Sequence, residues 1–330
     1  MTSVLLSFAI VLAWGTWIPL AQAVPKLLQA TRTFYITAGN LVFATAVLVV
    51  GGSAGQLTLG WKEFWLPFAG GLVWATGSVC AFRATELIGL ARASGTWTPL
   101  NIIVAFVFGA LLFSELAGFT AARYAVLGGC LVLVLAGVFL IINSQNPQSS
   151  QSSQSSQNPQ NPKSSRNSAA EAPLAAEGPG AATEPAAAAY RRGLLLAVGA
   201  GLLWGGYFVP SQWAHVPSQL GNFPLAVGMF AGASFFAARG HAIVRLPVRH
   251  TAVQLCSGVL LGVGTVCLLG LVPRVGTGVG FTIAQLSLLV NASVGIWVFK
   301  VPAPGSRAAR IAIAGILLAG IGATAIGALR

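Results

Sequence analysis

Charge is what this sequence has least of. Only 7% of its 330 residues are charged, against about 25% in soluble domains. A soluble chain of this length would lack the solvated surface it needs. Acidic residues are scarcest: of six, only Glu63, Glu86 and Glu115 lie outside a polar stretch at 143–190. Three histidines without carboxylate neighbours make no metal site. The four cysteines (Cys80, Cys130, Cys256, Cys267) fall in apolar segments without C-x-x-C spacing, which reads as packing rather than disulfides or ligands. There is no glycine-rich phosphate loop and no ATP-hydrolysing motif, so no cofactor is implied and primary transport is not expected. An enzyme would need clustered nucleophiles, carboxylates or histidines facing one membrane surface. None is found, so a non-enzyme is expected.

What the chain does have is apolar length. Hydrophobic residues make up 55% of it, and runs of about 20 residues, each able to cross a bilayer core, recur along nearly all of it. Strands of a membrane barrel would alternate strictly, and no segment does. The fold class expected is therefore an all-α polytopic membrane protein. Ten spans are read at 3–24, 32–51, 64–82, 94–113, 123–142, 193–213, 220–238, 251–271, 277–299 and 309–329. The first lacks a basic leader and a small-residue cleavage site, so it reads as a membrane helix rather than a signal peptide.

Residues 143–190 are Ser/Gln/Asn/Pro-rich, then Ala/Pro/Glu-rich, and cannot bury enough apolar area to offset chain entropy. They read as a disordered linker between a first five-helix repeat at 1–142 and a second at 191–330. The net charge of +12 is scattered between apolar runs, which fits loop charges that orient a membrane protein and not nucleic-acid binding. Fourteen of the 18 Lys and Arg residues follow odd-numbered spans: Lys26, Arg32, Arg83, Arg92, Lys163, Arg166, Arg191, Arg192, Arg239, Arg245, Arg249, Lys300, Arg307 and Arg310. The four on the other side are Lys62, Arg123, Arg274 and Arg330. The basic side should be cytoplasmic, which places both termini outside and the linker inside a cell (inner) membrane.

The two halves resemble each other. Trp14-Gly15-Thr16-Trp17-Ile18 matches Trp204-Gly205-Gly206-Tyr207-Phe208, with Gln22 and Gln212 at the same offset. Gly77-Ser78-Val79-Cys80 matches Gly264-Thr265-Val266-Cys267, and Phe108-Gly109 with Phe113 resembles Val294-Gly295 with Phe299. Five spans is an odd number, so the second copy enters the membrane with opposite polarity. Inverted repeats of this kind build transporters whose site lies at mid-membrane.

Polar groups at that depth need partners or a cavity. Trp14 and Trp17 share a helix face, as do Trp204 and Tyr207. Pro19 and Pro210 beyond each pair can break the helix and free a carbonyl. Aromatic faces suit the C–H surface of a sugar ring, and amides suit its hydroxyls. Helix packing is the competing role. Trp74, Trp97, Asn101, Gln285 and Asn291 complete the candidate substrate site, with Asn40 a more isolated amide. For proton coupling the candidates are Glu115, at the end of the fourth span, and Glu86, in the short cytoplasmic loop between Arg83 and Arg92, where an ion pair is the plainer role. The implied partners are a small-molecule solute, with or without protons, and the lipid bilayer. Association as a homodimer stays open.

The chain also resembles the drug/metabolite transporter superfamily, and within it the glucose/ribose porter family of sugar uptake proteins. Rhamnose–proton symporters and ureide permeases are relatives. The resemblance lies in Trp14-Gly15, Gly71-Leu72-Val73-Trp74-Ala75-Thr76-Gly77, Glu86-Leu87-Ile88-Gly89-Leu90-Ala91-Arg92-Ala93 and Phe113-Ser114-Glu115. It implies ten helices as a 5+5 inverted repeat and secondary transport of a small polar metabolite, most readily a sugar. An exporter or permease for amino acids, nucleobases, ureides or drugs on the same scaffold is the alternative.

Overall fold

In a bilayer core no water satisfies the backbone, so an apolar chain must close its hydrogen bonds within each segment. The protein does so throughout its described part. Our computed structural model describes residues 2–24, 27–57, 60–88, 90–144, 186–298 and 303–328. Among these there is no strand. The α-helices are α1 (Thr2–Gln22), α2 (Gln29–Val50), α3 (Leu66–Ile88), α4 (Leu90–Leu112), α5 (Ala121–Ser144), α6 (Ala186–Gly206), α7 (Val209–Trp213), α8 (Ser218–Arg239), α9 (Val248–Val275), α10 (Thr277–Gln285), α11 (Ser287–Trp297) and α12 (Arg307–Ala328). A wide turn at Trp61–Trp65 leads into α3. Eight segments are long and apolar enough to cross a membrane, and Thr96–Leu112 is apolar but shorter. Most of the expected linker, together with Lys26, Lys163, Arg166, Lys300 and Arg330, lies outside the described residues.

The surface is as apolar as the interior. Leu5 is 65% exposed, Leu111 76% and Leu195 72%, which places large aliphatic side chains where a soluble protein would be charged. These are lipid-facing positions of a multi-pass membrane protein.

Inside, small residues set the helix crossings. α3 packs on α6 and α8, while α9 packs on α1 and α2. α4 lies on α6 and α1 on α11; α5 pairs with α12, and α2 with α8. A Cβ at Gly71 would fall on the Leu225 carbonyl and 2.6 Å from the Met229 nitrogen. A Cβ at Gly258 would fall on the Ile36 carbonyl and 2.7 Å from the Asn40 nitrogen. At these crossings backbone touches backbone, the close approach that drives helix association where the hydrophobic effect is absent. The largest fully buried rings, Phe208 and Phe281, stack at 5.0 Å and 15° in the shared core.

Two breaks differ from a plain ten-rod reading. The sixth span divides at Tyr207–Phe208, and Pro210 stands in the first turn of α7, where its missing N–H costs nothing. The ninth divides at Leu286 into α10 and α11. Gly276, at φ 90°, turns the chain from α9 into α10, a conformation that only glycine adopts without strain. Two expectations are corrected. α1 runs unbroken through Pro19, which is buried within it. Glu86 is not in a loop, because α3 continues to Ile88.

Candidate functional site

A cavity of about 450 Å³ opens between the start of α2, the second half of α3 and the end of α8. That volume lies in the usual range for small-molecule sites. Its walls are Ala30, Ala75, Val79, Phe82, Ala233 and Phe236, and its polar lining is Gln29, Thr33, Ser78, Arg83, Glu86 and Arg239. Two hydroxyls are arranged in the same way. Thr33 Oγ1 donates to the Gln29 carbonyl at 2.8 Å, and Ser78 Oγ donates to the Trp74 carbonyl at 3.0 Å. Each spends its proton on its own helix and keeps its lone pairs for a donor in the cavity. At the mouth, Arg83 pairs with Glu86 at 3.2 Å on an exposed surface. The cavity thus opens on the side that carries Arg83 and Arg239.

Beside the Ser78 wall stands a tryptophan cluster. Trp74 is buried, and its ring stacks on Trp204 at 6.4 Å and 30°. Trp97 meets Trp204 edge-on at 5.5 Å. Trp204 Nε1 donates to the Trp74 carbonyl at 3.1 Å, the same oxygen that accepts from Ser78. Asn101 is buried next to this group. With its amide nitrogen turned inward it donates to the Gly201 carbonyl at 2.7 Å and the Trp97 carbonyl at 3.2 Å, tying α4 to α6. Trp74, Trp97, Asn101 and Trp204 are therefore brought together.

Trp14 and Trp17 lie apart from that cluster, against α9. Trp14 Nε1 donates to the Leu261 carbonyl at 3.3 Å, and its ring covers Gly264. The Trp17 carbonyl accepts from Ser257 Oγ at 2.7 Å. Tyr207 is 2% exposed, and its hydroxyl lies beside Thr265, whose own proton goes to the Leu261 carbonyl. Gln285, the last residue of α10, and Asn291 on α11 are half-buried and do not border the cavity.

The two carboxylates are in different settings. Glu86 borders the cavity. Glu115 stands in the turn after α4 and accepts from the Thr277 backbone N–H and, at 2.6 Å, from its hydroxyl. Gln212 Nε2 reaches the same hydroxyl at 2.6 Å. This is a carboxylate cap on the positive end of α10.

Sequence reasoning passed over Thr33 and Gln29, because single polar residues near a helix start give no periodic signal. It also passed over Asn222 and Gln254, both fully buried. No match between the two halves in the sequence flags either amide, because the matched stretches lie elsewhere in the chain.

Helices that expose aliphatic chains outward and enclose a polar-lined cavity define a membrane protein with a solute-sized chamber. The chain belongs to the sugar transport protein family, whose model matches residues 5–160 and 179–329. A "Putative sugar uptake protein" of Bacillus cereus is 23% identical over 87% of this chain and 86% of its own length. One of Listeria innocua is 24% identical over 88% and 86%. The "Probable glucose uptake protein GlcU" of Bacillus cereus is 21% identical over 68% and 65%. A crystal structure of a protein 20% identical in sequence superposes with a TM-score of 0.62 over 98% of both chains, a likeness of fold.

Proposed function

We propose that this protein takes up a sugar across the cytoplasmic membrane by secondary transport, alternating between inward- and outward-open forms. The observation that carries this reading is the 450 Å³ cavity, lined by hydroxyl, amide and charged groups and open on the basic side. The excess of Lys and Arg makes that side cytoplasmic, with both termini outside. In this orientation the cavity is the inner vestibule.

Two antiparallel five-helix halves are supported by contacts that run in matching pairs. Trp204 bonds the Trp74 carbonyl and Trp14 the Leu261 carbonyl; Ser78 and Thr265 bond those same two oxygens. Such a duplication provides two access states of similar energy. Within this reading Thr33, Ser78 and Gln29 bind sugar hydroxyls, and Trp74 backs the Ser78 wall. Trp97, Asn101, Trp204, Trp14, Trp17 and Tyr207 hold the two halves in register. Gln285 and Asn291 face the chamber only in the other state. Any proton coupling runs through Glu86, the carboxylate on the cavity wall.

Uptake of a sugar panel into proteoliposomes, with and without a pH gradient, tests the proposal. Saturable uptake of at least one sugar is expected. If no sugar moves while amino acids or nucleobases do, the sugar reading is wrong.

A further inference from the structure

We infer that Asn222 and Thr265 form a second sugar-hydroxyl site, sealed here, which becomes accessible from outside when the inner vestibule closes. The inference rests on the alternating-access reading and adds residues to it.

The helix crossings fix which residues correspond. Gly71 meets Leu225 and Met229 as Gly258 meets Ile36 and Asn40. Exchanging the halves therefore takes Ile36 to Leu225 and Asn40 to Met229, and between those two residues Asn40 Nδ2 donates to Met229 Sδ at 3.3 Å. One turn back along each helix, the exchange takes Thr33 to Asn222. On the facing helices it takes Gly71 to Gly258 and Ser78 to Thr265. The Ser78–Thr265 correspondence is independently marked. Ser78 and Thr265 each donate to the carbonyl four residues back, and each of those carbonyls also accepts an indole N–H.

Thr33 and Ser78 line the open cavity. Their counterparts do not: Asn222 and Thr265 are both 0% exposed. The seam that holds them is closed, with Leu268 and Leu271 further along α9 fully buried and the Tyr207 hydroxyl beside Thr265. Within it, Asn222 leaves both amide atoms without a hydrogen-bond partner. A buried amide with neither atom paired is costly, and native folds rarely keep one without a use. Opening the seam supplies that use. The amide can donate to one hydroxyl of a vicinal diol and accept from its neighbour, while Thr265, its proton committed to Leu261, accepts a third. The ligand class is a polyhydroxylated solute, met first from outside.

The test compares influx with efflux, using a sugar that the unaltered protein carries. Asn222→Ala is expected to raise the half-saturation of influx roughly tenfold, as loss of an amide's paired contacts predicts, and to leave that of efflux nearly unchanged. Thr33→Ala should do the reverse. In a chain whose four native cysteines are replaced by serine, Asn222→Cys and Thr265→Cys should react with an impermeant thiol reagent added outside, and Thr33→Cys should not. Equal shifts for influx and efflux, or no outside labelling of either cysteine in a chain that still transports, overturns the inference. An unaltered protein that moves no sugar overturns the transport reading instead, and outside labelling then still reports whether the seam opens.

Discussion

The carboxylate of Glu115 is hydrogen-bonded to both the backbone and the side chain of Thr277, 162 residues further along the chain. α10 begins directly after the Gly276 turn, which points α9's last carbonyls away from the line of α10's first N–H groups. Glu115 supplies an acceptor and a negative charge at that positive end, which fastens the α4–α5 turn to the junction of α9 and α10. Glu115→Ala should destabilise the protein by about 1–2 kcal/mol, and Glu115→Gln, which keeps an acceptor oxygen, by less. Thermal unfolding in detergent measures both. The pH dependence of uptake in Glu115→Gln should match the parent, and a flattened profile would show that the carboxylate carries protons.

Trp204 is tested by separating its ring from its N–H. Trp204→Phe keeps most of the stack on Trp74 and loses one hydrogen bond, which is worth about 1 kcal/mol. Trp204→Ala also empties the space over Gly77 and should cost roughly 3–5 kcal/mol. Equal losses in unfolding midpoint for the two variants would mean that the ring contributes nothing beyond its bond.

Gly258 and Gly128 give opposite expectations for the same substitution. Gly258→Ala drives a methyl into the Ile36 carbonyl, so folded protein should not be recovered from the membrane. Around Gly128 a Cβ meets nothing within 4 Å, so Gly128→Ala should be neutral or stabilising by up to about 1 kcal/mol. Fluorescence-detected size-exclusion of tagged protein separates these outcomes.

In the vestibule, Thr33→Val keeps shape and removes a hydroxyl, and Ser78→Ala does nearly the same. One neutral hydrogen bond to a solute is worth about 1 kcal/mol, so each variant should weaken half-saturation by roughly fivefold. Efflux assays read this directly. An unchanged value in both variants would move the sugar elsewhere in the fold.

Much of the scaffold was legible because lipid imposes one rule: apolar length demands helix. The break before Pro210 was also legible. The break at Leu286 was not, since Gln285-Leu286-Ser287 contains neither proline nor glycine to announce it. The tryptophans were conspicuous, yet the sequence could not say which way each ring turns. Trp14 and Trp204 turn their N–H groups onto carbonyls of facing helices, because an indole at membrane depth must satisfy its one donor. The vestibule stayed hidden for a related reason. Thr33 and Ser78 bond within their own helices, so nothing in their spacing marks them as facing open space.

The glycine crossings have a mechanical consequence. Where α2 meets α9 and α3 meets α8, main chain bears on main chain, with no side chain between them to change rotamer. One helix of such a pair can tilt on the other without any repacking at the fulcrum, while the ends far from it swing widest. These four helices carry the cavity residues Thr33 and Ser78 and the sealed residues Asn222 and Thr265, so under the proposed alternating access the two methyl-free fulcrums are where rocking would widen one mouth as it narrows the other.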